Sequence, residues 1–156
     1  MMEEQDHFKS GYSLQEAQDW DAASKEFLNV TIDNTDYDLA RCGMAYCKVR
    51  SGLYQEAVAA CEELLQLRNS EQIAEKLWLQ YADENPYILA AYSLLKLGDN
   101  QGAGSMLDRF SRHSDEVIQK FFERSVKSAL WLEICESKIQ SPLVIAWKTR
   151  ANVERN

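Results

Sequence analysis

Three sets of residues in this chain recur at one shared pair of offsets, and no other feature narrows the fold as much. Gly11, Ala45 and Ala91 are small residues inside apolar-periodic stretches, separated by 34 and then 46 positions. Ala23, Ala57 and Ala103 follow at the same offsets, and so do Phe27, Cys61 and Leu107. Between them lie Asp19-Trp20, Gly52-Leu53-Tyr54 and Gly98-Asp99-Asn100, where the chain should turn. Alanine matches alone are cheap, but small, turn and apolar columns sharing one offset are not. Such a period describes helix–turn–helix units stacked on one another. The 6 glycines and 2 prolines among 156 residues are too few breakers for a turn-rich all-β chain. The length fits one domain with a real core.

The pattern resembles the tetratricopeptide repeat family. Its unit is a 34-residue helical hairpin with a small residue in the first helix, an aromatic at the turn, and Ala followed by a large apolar residue in the second. The best match runs from Met44-Ala45 through Gly52-Leu53-Tyr54-Gln55-Glu56-Ala57 to Leu64. Repeats are expected at about 4–37, 38–71 and 84–117, roughly two-thirds of the chain. The fold class expected is all-α: a right-handed helix–turn–helix stack with C-terminal capping helices. The chain departs from the family at Gln18-Asp19, where Gly is preferred, and at Asn100, where an aromatic is usual. Gly102 and Gly104 lie inside a second helix at about 1 kcal/mol each against Ala. The closing Pro is missing throughout, while Pro86 opens a helix, a favoured place for it.

Outside the repeats, the extra 12 residues fall at about 70–83. Ser70-Glu71-Gln72 reads as a helix start, and Ile73, Leu77 and Tyr81 mark a helical stripe beside Trp78. The stretch from Ser114 to about 140 reads as one long capping helix, with Ile118, Phe121, Phe122, Ser125, Ala129 and Leu132 along a face. Ser141-Pro142 should start a last helix over 142–153.

Charge is uneven. Residues 1–40 hold ten acids and two bases, which is the whole net charge of −8, whereas 120–156 carry +3. An acidic chain of this kind is not a general nucleic-acid binder. The front end suits a basic partner or head-to-tail self-association. Cys42, Cys47, Cys61 and Cys135 form no C-x-x-C and read as small apolar residues in a reducing compartment. The first residues lack a signal-peptide pattern, and the longest apolar run, Leu143–Trp147, is far too short to span a membrane. The expected location is cytoplasmic, with no membrane insertion.

In the tetratricopeptide family, ligands bind the concave face lined by the first helix of each pair. The resemblance puts Tyr12, Tyr46 and Tyr92 there, one structural position carrying tyrosine three times. One turn earlier come Phe8, Cys42 and Ile88; one turn later come Glu16, Arg50 and Lys96. The expected partner-binding set is therefore Phe8, Tyr12, Tyr46, Arg50, Ile88, Tyr92 and Lys96. Tyrosine offers a large rigid face and a hydroxyl with little entropy to lose, which suits a peptide segment. The alternative is that the rings only pack between repeats. The family's two-carboxylate clamp needs Lys and Asn on this face; Phe8, Tyr12, Tyr46 and Leu89 stand there instead, with only Asn85 polar. A tyrosine-lined groove in a small acidic chain is more similar to the chaperones of type III secretion.

No chemistry-bearing motif stands out. Phosphate-binding glycine loops, zinc-protease and nucleophile-elbow patterns are missing. The Gly98–Gly104 stretch follows a helix and lacks a lysine for phosphate. His7 and His113 show no catalytic pairing, and Glu62 and Glu63 are chain neighbours on different sides of a helix. The expectation is a non-catalytic adaptor or chaperone that binds a protein or peptide and needs neither cofactor nor metal. The alternative is a structural subunit or homodimer docking through Phe122, Leu130, Trp131 and Trp147.

Overall fold

The computed structural model describes residues 4–68 and 82–155. The described residues form nine α-helices and no strands. These are α1 (Glu4–Glu16), α2 (Trp20–Leu28), α3 (Tyr37–Arg50), α4 (Tyr54–Leu67), α5 (Pro86–Lys96), α6 (Asn100–Ser111), α7 (Asp115–Ser125), α8 (Ala129–Glu136) and α9 (Pro142–Arg155). A single 3-10 turn, Ala82–Glu84, precedes α5. Each helix from α1 to α4 packs on the next, α4 packs on α5, and α5 on α6. The fold is an all-α stack of three helical hairpins, α1–α2, α3–α4 and α5–α6. The helix expected at 70–83 falls on residues outside the described ones, apart from the 3-10 turn.

The period seen in the sequence is a period in backbone geometry. Gln18, Gly52 and Gly98, again 34 and 46 apart, are the described residues with positive φ, at 62°, 75° and 83°. Each ends a first helix with the same pair of hydrogen bonds. Gln18, Gly52 and Gly98 donate to the carbonyls of Gln15, Val49 and Leu95. The following residues, Asp19, Leu53 and Asp99, donate five positions back to Leu14, Lys48 and Leu94. This is the Schellman termination, which needs a left-handed residue at its close. Asp19 and Asp99 then cap the second helices, accepting from the Ala22 and Gly102 amides. Helix α6 runs unbroken through Gly102 and Gly104, and a Cβ on Gly102 would collide with the Asp99 carboxylate that caps it.

All nine residues of the three repeating columns are buried. Phe27 shows why small residues recur. It is fully buried, and a Cβ on Gly11 or Gly43 would come within 2.5 or 2.8 Å of its ring. Helices α1 and α3 therefore close on Phe27 of α2 through two glycines. At the other end of the first two hairpins the turn aromatic meets the next hairpin. Trp20 packs edge-on against Tyr46 (5.9 Å), and Tyr54 against Tyr92 (6.3 Å). Asp38, almost fully buried, receives Arg68 from the end of α4 at 3.0 Å, which ties the second hairpin shut.

Beyond α6 the stack changes. The single capping helix expected over 114–140 is two helices, because the chain breaks between Ser125 and Ser128. Ser128 caps α8 by accepting from the Trp131 amide. The break moves the apolar face: Ala129 and Leu132, placed on the buried stripe by sequence, are exposed, and Leu130, Trp131 and Ile134 take the core. Helix α8 packs back on α5 and α9 on α6. Ser141 and Pro142 open α9 as expected, the Ser141 hydroxyl accepting from the Leu143 amide. No helix among the described residues is long and apolar enough to cross a membrane.

Gln18 pays the left-handed penalty that its two glycine counterparts avoid. Gln18→Gly should raise unfolding free energy by about 1 kcal/mol, while Gly52→Ala and Gly98→Ala should lower it by about 1–2 kcal/mol. No atom lies within 4 Å of a Cβ at either glycine, so only the backbone term is measured. Gly43→Ala should cost about 1–3 kcal/mol by overpacking Phe27. Chemical denaturation of the four variants reads these differences, and Phe27→Leu should recover part of the Gly43→Ala loss.

Candidate functional site

The first helices of the hairpins, α1, α3 and α5, are neighbours, with α3 packed against both others. On them Tyr12, Tyr46 and Tyr92 are each half-buried, while Arg50 and Lys96 are exposed. Phe8 is half-buried and packs edge-on to Tyr12 at 5.0 Å and to Phe27 at 6.2 Å. Ile88 is a correction to the expected set: it is 0% exposed and belongs to the core, as does its column partner Cys42. The apolar flank of the expected groove is therefore interior. The geometry that removes it is the packing of α5 between α4 and α6, which surrounds Ile88.

The three tyrosines have different neighbours. Tyr12 lies against Phe27 (5.2 Å), and its hydroxyl donates to the Glu84 carboxylate at 3.3 Å. Burial, with the negative Glu84 alongside, pushes the Tyr12 hydroxyl far above the usual tyrosine range. Tyr46 packs on Trp20, whose ring also carries the Arg50 guanidinium at 5.0 Å. Burial raises the Tyr46 hydroxyl too, and Arg50 opposes the shift. Tyr92 sits under Lys96 at 5.2 Å, and Lys96 pairs with Glu133 of α8 at 2.6 Å. That hydrogen bond holds the Lys96 ammonium above its ordinary value. All three hydroxyls stay protonated at neutral pH and can donate.

A feature that columns of repeating residues cannot show is what lies across this face. The turn Ala82–Glu84 packs against α3, α5, α7 and α8. Glu84 accepts from Tyr12 of the first hairpin. Asp83 accepts from the Ser128 hydroxyl at 2.9 Å, so the helix cap of α8 also holds the turn. The chain's own acidic turn thus spans from Tyr12 to Ser128. Beside it opens a cleft of about 500 Å³ lined by the turn, Arg124, Lys127 and Ser128. The only earlier signal of this arrangement was the position of the 12 extra residues, directly before the third hairpin.

The remaining polar candidates have structural partners. Asn85 is fully buried and caps α5, accepting from the Tyr87 amide at 2.9 Å. His7 pairs with Glu26 at 2.6 Å, joining α1 to α2. His113 sits at the end of α6 with Nδ1 2.9 Å from the Phe110 carbonyl. The four cysteines are buried and unbridged, and burial raises Cys47 and Cys135 to about 12. No three His, Cys, Asp or Glu side chains among the described residues converge as a metal site would require. No known protein family, curated protein or solved structure matches this chain, so its site is read from its own geometry.

Burial raises the Glu84 carboxyl, the Tyr12 hydrogen bond only partly opposing it. A carboxyl raised on folding binds more protons folded than unfolded, so its contribution to stability is lost as pH climbs through the raised value. Glu84→Gln removes that loss and can still accept from Tyr12. The variant should therefore gain on the wild type as pH rises above the ordinary carboxyl range in paired denaturation curves. A difference that does not change with pH would mean that Glu84 is solvated rather than held on the turn.

Proposed function

We propose that this protein is a non-catalytic interaction module of tetratricopeptide type, an adaptor or chaperone. It binds a segment of a partner protein along the face formed by α1, α3 and α5. The observation that supports this reading most is the tyrosine position itself. The same place in three hairpins carries a half-buried ring, each braced from behind by another aromatic: Phe27, Trp20 or Tyr54. Packing between repeats explains the braced side. On the other side each hydroxyl meets a charged group of the chain, Glu84 at Tyr12, Arg50 at Tyr46 and Lys96 at Tyr92, so the face sets rigid rings beside placed polar groups, a combination suited to a peptide.

With Tyr12 engaged by Glu84, the partner contacts fall mainly on Tyr46 and Tyr92. Arg50 and Lys96 stand one turn beyond them, with Glu133 opposite. A ligand suited to this surface is a peptide with apolar side chains for the two rings and an acidic group for Arg50. The rings are rigid and already placed, so little ordering opposes binding.

The test is a quantitative pull-down from native lysate with wild type, Tyr46→Ala/Tyr92→Ala and Tyr46→Phe/Tyr92→Phe. Circular dichroism checks that all three fold. Truncating two central aromatics should cost at least about 2 kcal/mol, roughly a thirtyfold loss of the captured partner. The phenylalanine pair should lose less, by the value of the hydroxyl bonds. Equal capture by all three would overturn the groove reading and leave the tyrosines as packing.

A further inference from the structure

The two ends of the stack are unlike. A stack of helical hairpins needs a polar outer face wherever it stops. At the back, α7, α8 and α9 leave a cleft of about 580 Å³ lined by Phe122, Val126, Leu132, Trp147 and Ala151, with Glu123 and Arg150 at its side. Val126 and Leu132 are 54% and 37% exposed, and Ile145 on α9 is 63% exposed. This is no polar cap. Of the residues expected to form a docking face here, Phe122, Leu130 and Trp131 are instead buried, and Phe122 lines the cleft from within. The segment 120–156 that builds this end carries +3, with Lys148 exposed next to Trp147 in the chain and Arg124 and Lys127 turned to the cleft beside the acidic turn.

The front has the complementary character. Among the described residues α1–α2 is the first hairpin of the stack. Leu28 at the end of α2 and Ile32 in the loop after it are 56% and 49% exposed. They sit within the 40 residues that carry −8, next to the exposed Asp33. A front-to-front contact would set −8 against −8. A back-to-back contact would set +3 against +3. Only front against back joins apolar surface to apolar surface with opposite charge around it.

We propose that copies of this chain associate head to tail, the Val126–Leu132–Trp147 cleft of one copy taking Leu28 and Ile32 of the next. The contact is heterologous and does not close on itself, so assemblies lengthen with concentration. The charges at its rim make it weaken with salt. The tyrosine face takes no part.

The experiment uses the full chain and light scattering coupled to size exclusion. Wild type should rise in mass with concentration at about 50 mM salt and fall toward monomer at about 500 mM. A back-blocked variant, Val126→Asp/Leu132→Glu, and a front-blocked variant, Leu28→Lys/Ile32→Lys, alter exposed residues only, and each alone should be monomeric. Mixed in equal amounts they should form a dimer that grows no further, since one good front meets one good back. That mixing result also shows that both variants are folded. Tyr46→Ala/Tyr92→Ala should assemble like wild type, which separates this contact from the groove. A wild type that stays monomeric at every concentration overturns the proposal and leaves the cleft to a foreign partner. Assembly by either blocked variant alone, or a mixture that stays monomeric, overturns it as well.

Discussion

A helical hairpin of this length has two apolar sides and can cover only one by folding on itself. Everything distinctive in the chain follows from how the other side is covered. Within the stack the answer is close approach. Phe27 fills the space between α1 and α3 because Gly11 and Gly43 bring no side chain to that space. The same small-residue column continues as Ala45 and Ala91 in the later hairpins, both buried. Helix spacing, and with it the register of every column, is set by these residues. The left-handed turn at Gln18, Gly52 and Gly98 then sends each second helix back at one repeated geometry.

The repeat was legible because it is a property of steric size and backbone conformation, which sequence records directly. Glycine at a left-handed turn, alanine at a close approach and Pro86 after the capping Asn85 each have one physical reason and one residue type. The C-terminal region was less legible for a comparable reason. A continuous stripe from Ile118 to Leu132 is as good a long helix as two short ones, and local pattern cannot choose between them. Ser128 decides it by accepting from the Trp131 amide and donating to Asp83, a residue 45 positions away. The second bond is tertiary, and no window along the chain contains it.

The candidate site divides along the same line. The tyrosine column and its charged neighbours Arg50 and Lys96 lie where the offsets put them, on adjacent first helices. Ile88 does not reach the surface, because α5 is packed by the second hairpin, by its own partner α6 and by α8 as well. A central helix of a stack has less free surface than an end helix, so one column can be open in the first hairpin and closed in the third. Phe8 and Ile88 share a column, yet one is half-buried and the other fully so. Period alone carries no information about where in the stack a copy stands.

The acidic turn adds a constraint on any ligand. Tyr12 and Ser128 are held to one short segment through Glu84 and Asp83, and Ala82 and Asn85 on either side are buried. Moving the backbone of this turn would expose Ala82 and undo the cap of α5, whereas the two carboxylates can swing without disturbing either. On the proposed binding reading, a partner segment would meet a face whose Tyr12 end is already supplied with a carboxylate and whose Tyr92 end offers Lys96 paired to Glu133. At the first end a partner carboxylate would have to displace one of the chain's own. At the second it would have to compete with Glu133 for the ammonium. Arg50 stacks on Trp20 and bonds the Tyr46 hydroxyl, and it forms no comparably close ion pair among the described contacts, so a new acidic group there would displace no carboxylate. On the proposed binding reading, ligand charge would be met at Arg50, a residue whose own ring partner, Trp20, belongs to the preceding hairpin.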